Sequence, residues 1–144
     1  SVDATRALAR LGGVAWLQNV RALRLREHLG DVHLETLAAL PPFPRLHTLD
    51  LADNRFEWVG LQALAESRAF PALAALDLGR NPIGEEGAGH LGKAAWSLRE
   101  LHLRACPVGD RGVRALLGGK LLDGVRVLDL GTTDIGAAGV KLLA

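Results

Sequence analysis

The sequence lacks the features that would place this chain outside a reducing compartment or in a membrane. Cys106 is its single cysteine, so no intrachain disulfide can form, and the disulfide staples of small extracellular domains are absent. No apolar run approaches the roughly 20 residues that cross a bilayer, and the first residues carry no cleavable signal-peptide pattern. We therefore expect a cytoplasmic chain with no membrane partner. The missing initiator Met and the abrupt end at residues 142–144 lead us to expect a piece of a longer polypeptide with further domains.

An excess of charge of either sign is also missing, because 17 Lys and Arg residues face 16 Asp and Glu residues. Phosphate-backbone binding needs a basic footprint, so nucleic acid is not an expected partner. Catalytic patterns are missing as well. None of the three serines, Ser1, Ser67 and Ser97, lies in a nucleophile-elbow sequence, and no glycine-rich phosphate loop follows a strand. These absences predict a protein that is not an enzyme and needs no cofactor.

What the sequence has instead is one leucine spacing repeated five times. The copies, numbered here as repeats 1 to 5, open at residues 20, 46, 73, 98 and 125 and follow the L-x-x-L-x-L-x-x-N/C-x-L pattern of leucine-rich repeats. Alternation of Leu49 and Leu51 with Thr48 and Asp50 predicts a short strand with one buried side. An amphipathic helix comes after each strand. The predicted architecture over residues 20–144 is an α/β right-handed solenoid, with a short parallel sheet on the concave face and helices on the convex face.

A polar or small residue ends each predicted strand, at Asn54, Asn81, Cys106 and Thr133. A side-chain amide at this point can satisfy backbone groups that neither strand nor helix pairs. Stacking of the repeats would turn these residues into an internal ladder. Cys106 occupies a ladder position, so we predict a buried structural thiol and not a nucleophile.

Other recurring residues suit the corners of the solenoid. Glycines recur at positions 60, 87, 112 and 139, where a Cβ would intrude on close backbone. Phe43 and Phe70 each precede a proline and are predicted to plug the core where the helix must stop. Repeat 1 departs from the pattern, because one residue is missing between Leu25 and Leu29 and His33 replaces the corner glycine. We expect a distorted turn there.

With these motifs the chain resembles the ribonuclease-inhibitor-like class of leucine-rich repeat proteins, through the pattern I-G-x-x-G-A-x-A-L that comes after each later strand. It is also similar to bacterial repeats named for their Gly-Ala-Leu-Ala motif. The resemblance implies a solenoid used as a recognition scaffold, but it does not name a partner, since the consensus residues are structural. Residues 1–19 lack a strand consensus and are predicted to form a helical cap or the end of a preceding repeat.

The outward strand position recurs once per repeat and forms the predicted binding row. It contains Arg24, Asp50, Asp77, His102 and Asp129. Because solenoids commonly bind on their concave surface, we hypothesise that a partner's Arg or Lys lies between Asp50 and Asp77, held by charge-assisted hydrogen bonds. The alternative is a solvated row whose like charges are relieved by Arg24 and His102. No metal is predicted, because ligands one strand apart converge poorly.

Two neighbouring rows complete the predicted partner-binding surface. One row contains Thr48 and Glu100, and the other contains Arg26 and Arg104. Small residues in the middle of both rows leave room for an inserted group.

The tryptophans and the remaining histidines are assigned by position. Trp58 stands at a corner where other repeats have acidic or small residues, so it is predicted to be partly exposed, as a binding anchor or packed on the neighbouring corner. Trp16 and Trp96 precede strands and are predicted to fill the space between helix and sheet. The histidines at 28, 33, 47 and 90 are predicted to be solvated.

The sequence therefore favours a non-enzymatic module that binds a protein or peptide along the row from Arg24 to Asp129. One alternative is a regulatory or accessory domain of a larger signalling protein or enzyme. Stimulation of a GTPase, for example, would need an Arg or Asn at an edge loop. Arg80 and Arg104 are candidates for that place, but nothing in their spacing singles them out. A purely structural spacer is the other alternative.

Overall fold

The computed structural model describes residues 2–26 and 28–144, with side chains from residue 4 onward. The strands of this part of the chain are β1 (Ala22–Arg24), β2 (Thr48–Asp50), β3 (Ala75–Asp77), β4 (Glu100–His102) and β5 (Val127–Asp129). Its α-helices are α1 (Val2–Leu11), α2 (Asp31–Ala38), α3 (Trp58–Glu66), α4 (Gly84–Gly92), α5 (Gly109–Leu117) and α6 (Ala137–Leu143). Short 3-10 helices cover Ala15–Asn19 and Leu121–Gly124.

The strands form one parallel sheet in chain order, β1-β2-β3-β4-β5. Equivalent residues of successive repeats are direct partners, so Arg24 pairs with Asp50, Asp50 with Asp77, and Asp77 with His102. Each helix from α1 to α5 packs on the next helix in the same order. The predicted parallel solenoid is confirmed.

The two layers differ in width, which determines the curvature. Neighbouring strands lie about 4.8 Å apart, whereas a helix with its side chains is about 10 Å across. Stacking one strand and one helix per repeat therefore spreads the helical side and places the sheet on the inner surface. The outward side chains of β1 to β5 line this concave face.

The core is a column of leucines, with buried phenylalanine rings packed against it. Leu46, Leu49 and Leu51 are completely buried, and their counterparts in the other repeats stack above and below them. The rings of Phe43 and Phe70 are buried and stack on each other, with centroids 5.7 Å apart. These rings fill the space between helix and sheet, as their position before proline predicts.

One asparagine side chain joins two successive repeats. The Nδ2 group of Asn81 donates to the carbonyl oxygen of Leu78 in its own repeat and to that of Leu51 in the repeat before, both at 2.9 Å. Its Oδ1 accepts a hydrogen bond from the Phe56 amide at 3.1 Å. Asn54 bonds to repeat 1 in the same way. The predicted polar ladder therefore exists and links neighbouring repeats.

Cys106 continues this ladder with a weaker donor. Its Sγ lies 3.1 Å from the carbonyl oxygen of Leu78, one repeat earlier. Burial raises the pKa of the Cys106 thiol to about 11. A thiol with that pKa stays protonated near neutral pH, which fits a structural role.

Carboxylates in the first turn of one helix cap the next helix. Asp31 in α2 accepts a hydrogen bond from the Glu57 amide at the start of α3, at 2.8 Å. Asp110 in α5 accepts one from the Gly136 amide at the start of α6, also at 2.8 Å. A carboxylate there satisfies a free amide and interacts favourably with the helix dipole. The sequence pattern did not indicate these caps between repeats.

Repeat 1 and the segment before it depart from the expectations. His33 is only 7% exposed, and its Nδ1 accepts a hydrogen bond from the Gly30 amide at the start of α2. The prediction that His33 is solvated was therefore wrong. Trp16 is 60% exposed in a 3-10 helix and does not fill the space between helix and sheet. Trp96 does pack against the core as predicted.

The turn of repeat 1 also differs from the others. In repeats 2 to 5 a residue with positive φ lies two positions beyond the last strand leucine, as Asp53 does with φ 58°. In repeat 1 the positive φ, 63°, is at His28, three positions beyond Leu25 and directly before Leu29. Glu27, in the same turn, lies outside the described residues.

We expect Leu78→Ala to lower the free energy of unfolding by about 2–5 kcal/mol, because truncating a buried leucine removes apolar contacts and leaves a cavity. Leu78 is completely buried in the middle of the column, whereas Leu117 is 40% exposed. Urea unfolding of the two alanine variants measures the difference. A loss at Leu78 no larger than that at Leu117 would contradict the assigned core.

Candidate partner-binding site

Asp50 of the binding row is engaged by the chain's own arginines. Its Oδ2 lies 2.8 Å from both Arg24 Nε and Arg26 NH2, and its Oδ1 accepts a hydrogen bond from the Ala52 amide at 3.1 Å. Asp50 is only 8% exposed. The expectation that Asp50 is available to a partner's cation is thereby corrected.

The pKa of Asp50 reflects these contacts. Burial alone would raise this pKa, but the hydrogen bonds from Arg26 and the Ala52 amide and the charges of Arg26 and Arg24 outweigh burial, so the pKa lies below its ordinary value. The carboxylate is therefore ionised and held in place by its partners.

A second aspartate extends this network along the exit side of the sheet, where the strands end. Asp53 lies 3.3 Å from Arg26 NH1 and 2.9 Å from Arg80 NH1. The charges of Arg24, Arg26 and Arg80 are thus shared between Asp50 and Asp53. The sequence pattern missed the structural role of Asp53, because this residue lies in the turn beyond the strand, where alternation no longer applies.

The other two aspartates of the row, Asp77 and Asp129, are held by backbone amides. Asp77 Oδ1 accepts a hydrogen bond from the Gly79 amide at 2.8 Å, and Asp129 Oδ1 accepts one from the Gly131 amide at 2.9 Å. Both side chains are half-buried. Among the residues that the structure describes, no Lys or Arg lies within ion-pair distance of either carboxylate. Each therefore has its second oxygen, Oδ2, as a further acceptor.

His102 lies between these two carboxylates, paired in register with Asp77 on one side and Asp129 on the other. Its Nε2 is 3.6 Å from Glu100 Oε2 on the same strand. Thr48, in the row of Glu100, is exposed on the same face. Within residues 2–26 and 28–144, no group of three or more His, Cys, Asp or Glu side chains is arranged to hold a metal ion.

These groups meet in an open cleft of about 170 Å³ at the exit side of the sheet. Ala52 and Gly79 line its centre, and charged side chains surround them. The charged residues and the imidazole around the cleft are Arg26, Asp53, Asp77, Arg80, His102, Arg104 and Asp129. Three residues of the predicted row, Asp77, His102 and Asp129, therefore line one concave space together with the arginine-containing neighbouring row, whereas Arg24 and Asp50 lie outside it.

Trp58 does not belong to this cleft. It is the first residue of α3, is 41% exposed and stacks on His90, with ring centroids 6.1 Å apart. Trp58 is therefore both partly exposed and packed on the neighbouring corner. His90 is half-buried beside this ring, which corrects the expectation that it is solvated.

We expect the charge of Asp50 to stabilise the fold above its ordinary pKa of 3.8 and to stop doing so in acid. Because the pKa is lowered in the folded chain, stability is lost as the pH falls through that lower value. Asp50→Asn keeps an oxygen for the Ala52 amide but loses the ion pairs. It should be destabilised by about 1–3 kcal/mol near pH 7 and lose less stability than the parent between about pH 5 and pH 2.

Urea unfolding near pH 7, and again at about pH 5 and about pH 2, measures this effect. Asp123→Asn, at an exposed position outside the network, is the matched control and should follow the parent at each pH. If Asp50→Asn loses as much stability on acidification as the parent, Asp50 is not the group responsible.

Comparison with known proteins agrees with the repeat pattern. A family profile described as Leucine Rich repeat matches residues 45–65, 73–92, 97–117 and 125–144, more than half of the chain. A Tonsoku-like protein of Danio rerio is 28% identical over 149 residues, which cover 86% of this chain and 10% of that protein. The chain thus spans about a tenth of this relative's length. No described helix is long and apolar enough to cross a membrane. The chain belongs to the leucine-rich repeat family.

Proposed function

We propose that the chain is a non-enzymatic interaction module that binds a protein or peptide on the concave face of its sheet. A basic side chain of the partner binds in the cleft, next to Asp77 and Asp129. The observation that carries this proposal is that both carboxylates face one open cleft while no described Lys or Arg pairs with them. Solenoids commonly present such extended concave surfaces to their partners.

The backbone prepares both carboxylates for binding. The amides of Gly79 and Gly131 hold one oxygen of each at 2.8 and 2.9 Å, which limits rotation of the side chains. A partner's cation then gains charge-assisted hydrogen bonds without first ordering the aspartates. The site therefore favours a basic partner residue for reasons of geometry as well as charge.

The remaining residues of the predicted surface act around this contact. Thr48 and Glu100, on the entry side of the row, offer polar groups to the partner's backbone, and Arg26 and Arg104 flank the cleft. Trp58 lies in the helical layer, so the proposed surface does not need it. In this proposal the module works in the cytoplasm, a reducing compartment that suits the free thiol of Cys106.

We expect Asp77→Asn and Asp129→Asn each to weaken binding of a selected peptide by about ten-fold or more, because each change removes one charge-assisted interaction. Asparagine retains an oxygen for the amide of Gly79 or Gly131, so the fold should persist. Selection of a displayed random peptide library on the intact chain supplies the ligand, and fluorescence anisotropy measures its affinity.

Asp123→Asn removes the same charge at an exposed position outside the cleft and should leave the affinity unchanged. Enriched peptides should share a basic residue. The proposal fails if no peptide is enriched, or if the enriched peptides bind the Asp77→Asn and Asp129→Asn variants as tightly as the parent.

A further inference from the structure

The cleft lies where two repeats lack a side chain that repeat 1 has. The strand register that pairs Arg24 with Asp50 and Asp50 with Asp77 places Arg26, Ala52 and Gly79 at equivalent positions two residues further along. Arg26 crosses to the neighbouring strand, whereas Ala52 carries only a methyl group and Gly79 has no side chain, so no long side chain fills the corresponding space. These small residues line the centre of the cleft.

Arg26 shows how a guanidinium binds at this position. Its NH2 lies 2.8 Å from Asp50 Oδ2 on the next strand, and its NH1 lies 3.3 Å from Asp53 Oδ2. One guanidinium therefore contacts two carboxylates. Asp77 stands in the same relation to Ala52 as Asp50 does to Arg26. Arg80 occupies the position of Asp53 in repeat 3, so Asp77 is the carboxylate that corresponds to the Arg26 contacts.

The two aspartates are also oriented alike. The Ala52 amide donates to Asp50 Oδ1 at 3.1 Å, and the Gly79 amide donates to Asp77 Oδ1 at 2.8 Å. In both cases the backbone amide two residues beyond the aspartate holds Oδ1, which leaves Oδ2 as the other acceptor. Arg26 binds Oδ2 of Asp50, but no described cation binds Oδ2 of Asp77.

We propose that the cleft over Ala52 and Gly79 binds an arginine side chain of the partner, whose guanidinium takes the place beside Asp77 that Arg26 takes beside Asp50. This inference rests on the proposed function and specifies the residue that the partner contributes. The ion pair between Arg26 and Asp50 within the chain thus serves as the template for an ion pair between the partner's arginine and Asp77.

The shape of the donor group favours arginine over lysine. A planar guanidinium presents several N–H donors in a fixed fork, whereas an ammonium is a compact, strongly hydrated point charge. A guanidinium over Ala52 can meet Asp77 as the Arg26 guanidinium meets Asp50, at 2.8 Å. Such charge-assisted hydrogen bonds are directional and suit a planar group.

The arginines around the cleft do not make it a site for an anion. Arg26 and Arg80 already share the carboxylates of Asp50 and Asp53, at distances of 2.8 to 3.3 Å. Arg104 lies beside Gly131, within about one side chain of Asp129; a Cβ at Gly131 would lie 3.6 Å from its NH1. Two of the three positive charges are thus already paired, and an acidic side chain that bound Arg26 or Arg80 would have to break existing ion pairs.

Short peptides test this inference on the intact chain. The probe is acetyl-Ala-Ala-Arg-Ala-Ala-amide, and the comparison peptides carry Lys, Glu or citrulline, the neutral isostere of arginine, in place of Arg. The ¹⁵N shift of the Gly79 amide is a local reporter, because this amide donates to Asp77. We expect the arginine peptide to move this signal at low millimolar concentration, with a Kd about five-fold below that of the lysine peptide. Citrulline and Glu peptides should leave the signal in place.

Two variants complete the test. Ala52→Arg gives repeat 2 the side chain of repeat 1, so its own guanidinium should occupy the cleft and abolish the response, while Ala52→Gln, of intermediate length and neutral, should retain it in part. Asp77→Asn should also abolish the response, and it remains informative if Ala52→Arg does not fold. The inference is overturned if the arginine peptide leaves Gly79 unshifted at about 10 mM, if lysine or Glu binds as well, or if folded Ala52→Arg responds like the parent.

The two proposals fail in distinguishable ways. If library-selected peptides depend on Asp77 and Asp129 but tolerate replacement of their arginine by lysine, the binding face stands and the arginine assignment falls. If selection enriches nothing and the arginine peptide leaves Gly79 unshifted, both fall.

Discussion

The capture of strand-end carbonyl groups by one polar side chain in each of repeats 2 to 5 is the interaction on which the structure depends. Asn81 binds the carbonyl oxygens of Leu51 and Leu78, both at 2.9 Å, and so satisfies backbone groups of two repeats at once. This contact lets the chain leave the strand after three residues while its buried backbone stays paired. The ladder therefore holds equivalent residues one strand spacing apart, and this spacing creates the rows on the concave face.

The same spacing brings like charges together, and the two halves of the row resolve the problem differently. Repeats 1 and 2 neutralise Asp50 internally, because Arg24 and Arg26 both lie 2.8 Å from it. Repeats 3 to 5 place His102 between Asp77 and Asp129 without a paired Lys or Arg among the described residues. The first half is thus a structural ion network, whereas the carboxylates of the second half are held by the backbone amides of Gly79 and Gly131.

The sequence predicts the features that follow from the repeat period. It misses the features that depend on turns, on side chains from other strands or on the irregular first repeat. Spacing and alternation were sufficient for the strand register and the asparagine ladder. Asp53 and Arg80 were missed as an ion pair because they lie in turns, where side-chain direction depends on a positive φ and not on alternation. Burial of Asp50 depends on arginines from another strand, which no local pattern records. His33 and Trp16 were misplaced because they belong to the least regular part of the chain.

The carboxylate caps between helices give the solenoid a direction. Asp31 caps the start of α3 and Asp110 the start of α6, so in each case the earlier repeat supplies the group and the later helix receives it. Unfolding of an earlier repeat removes a contribution of about 1 kcal/mol from its successor, whereas the reverse loss leaves the predecessor's helix start intact. A ribosome releases the chain in that same order, so each cap is already available when the helix that needs it emerges.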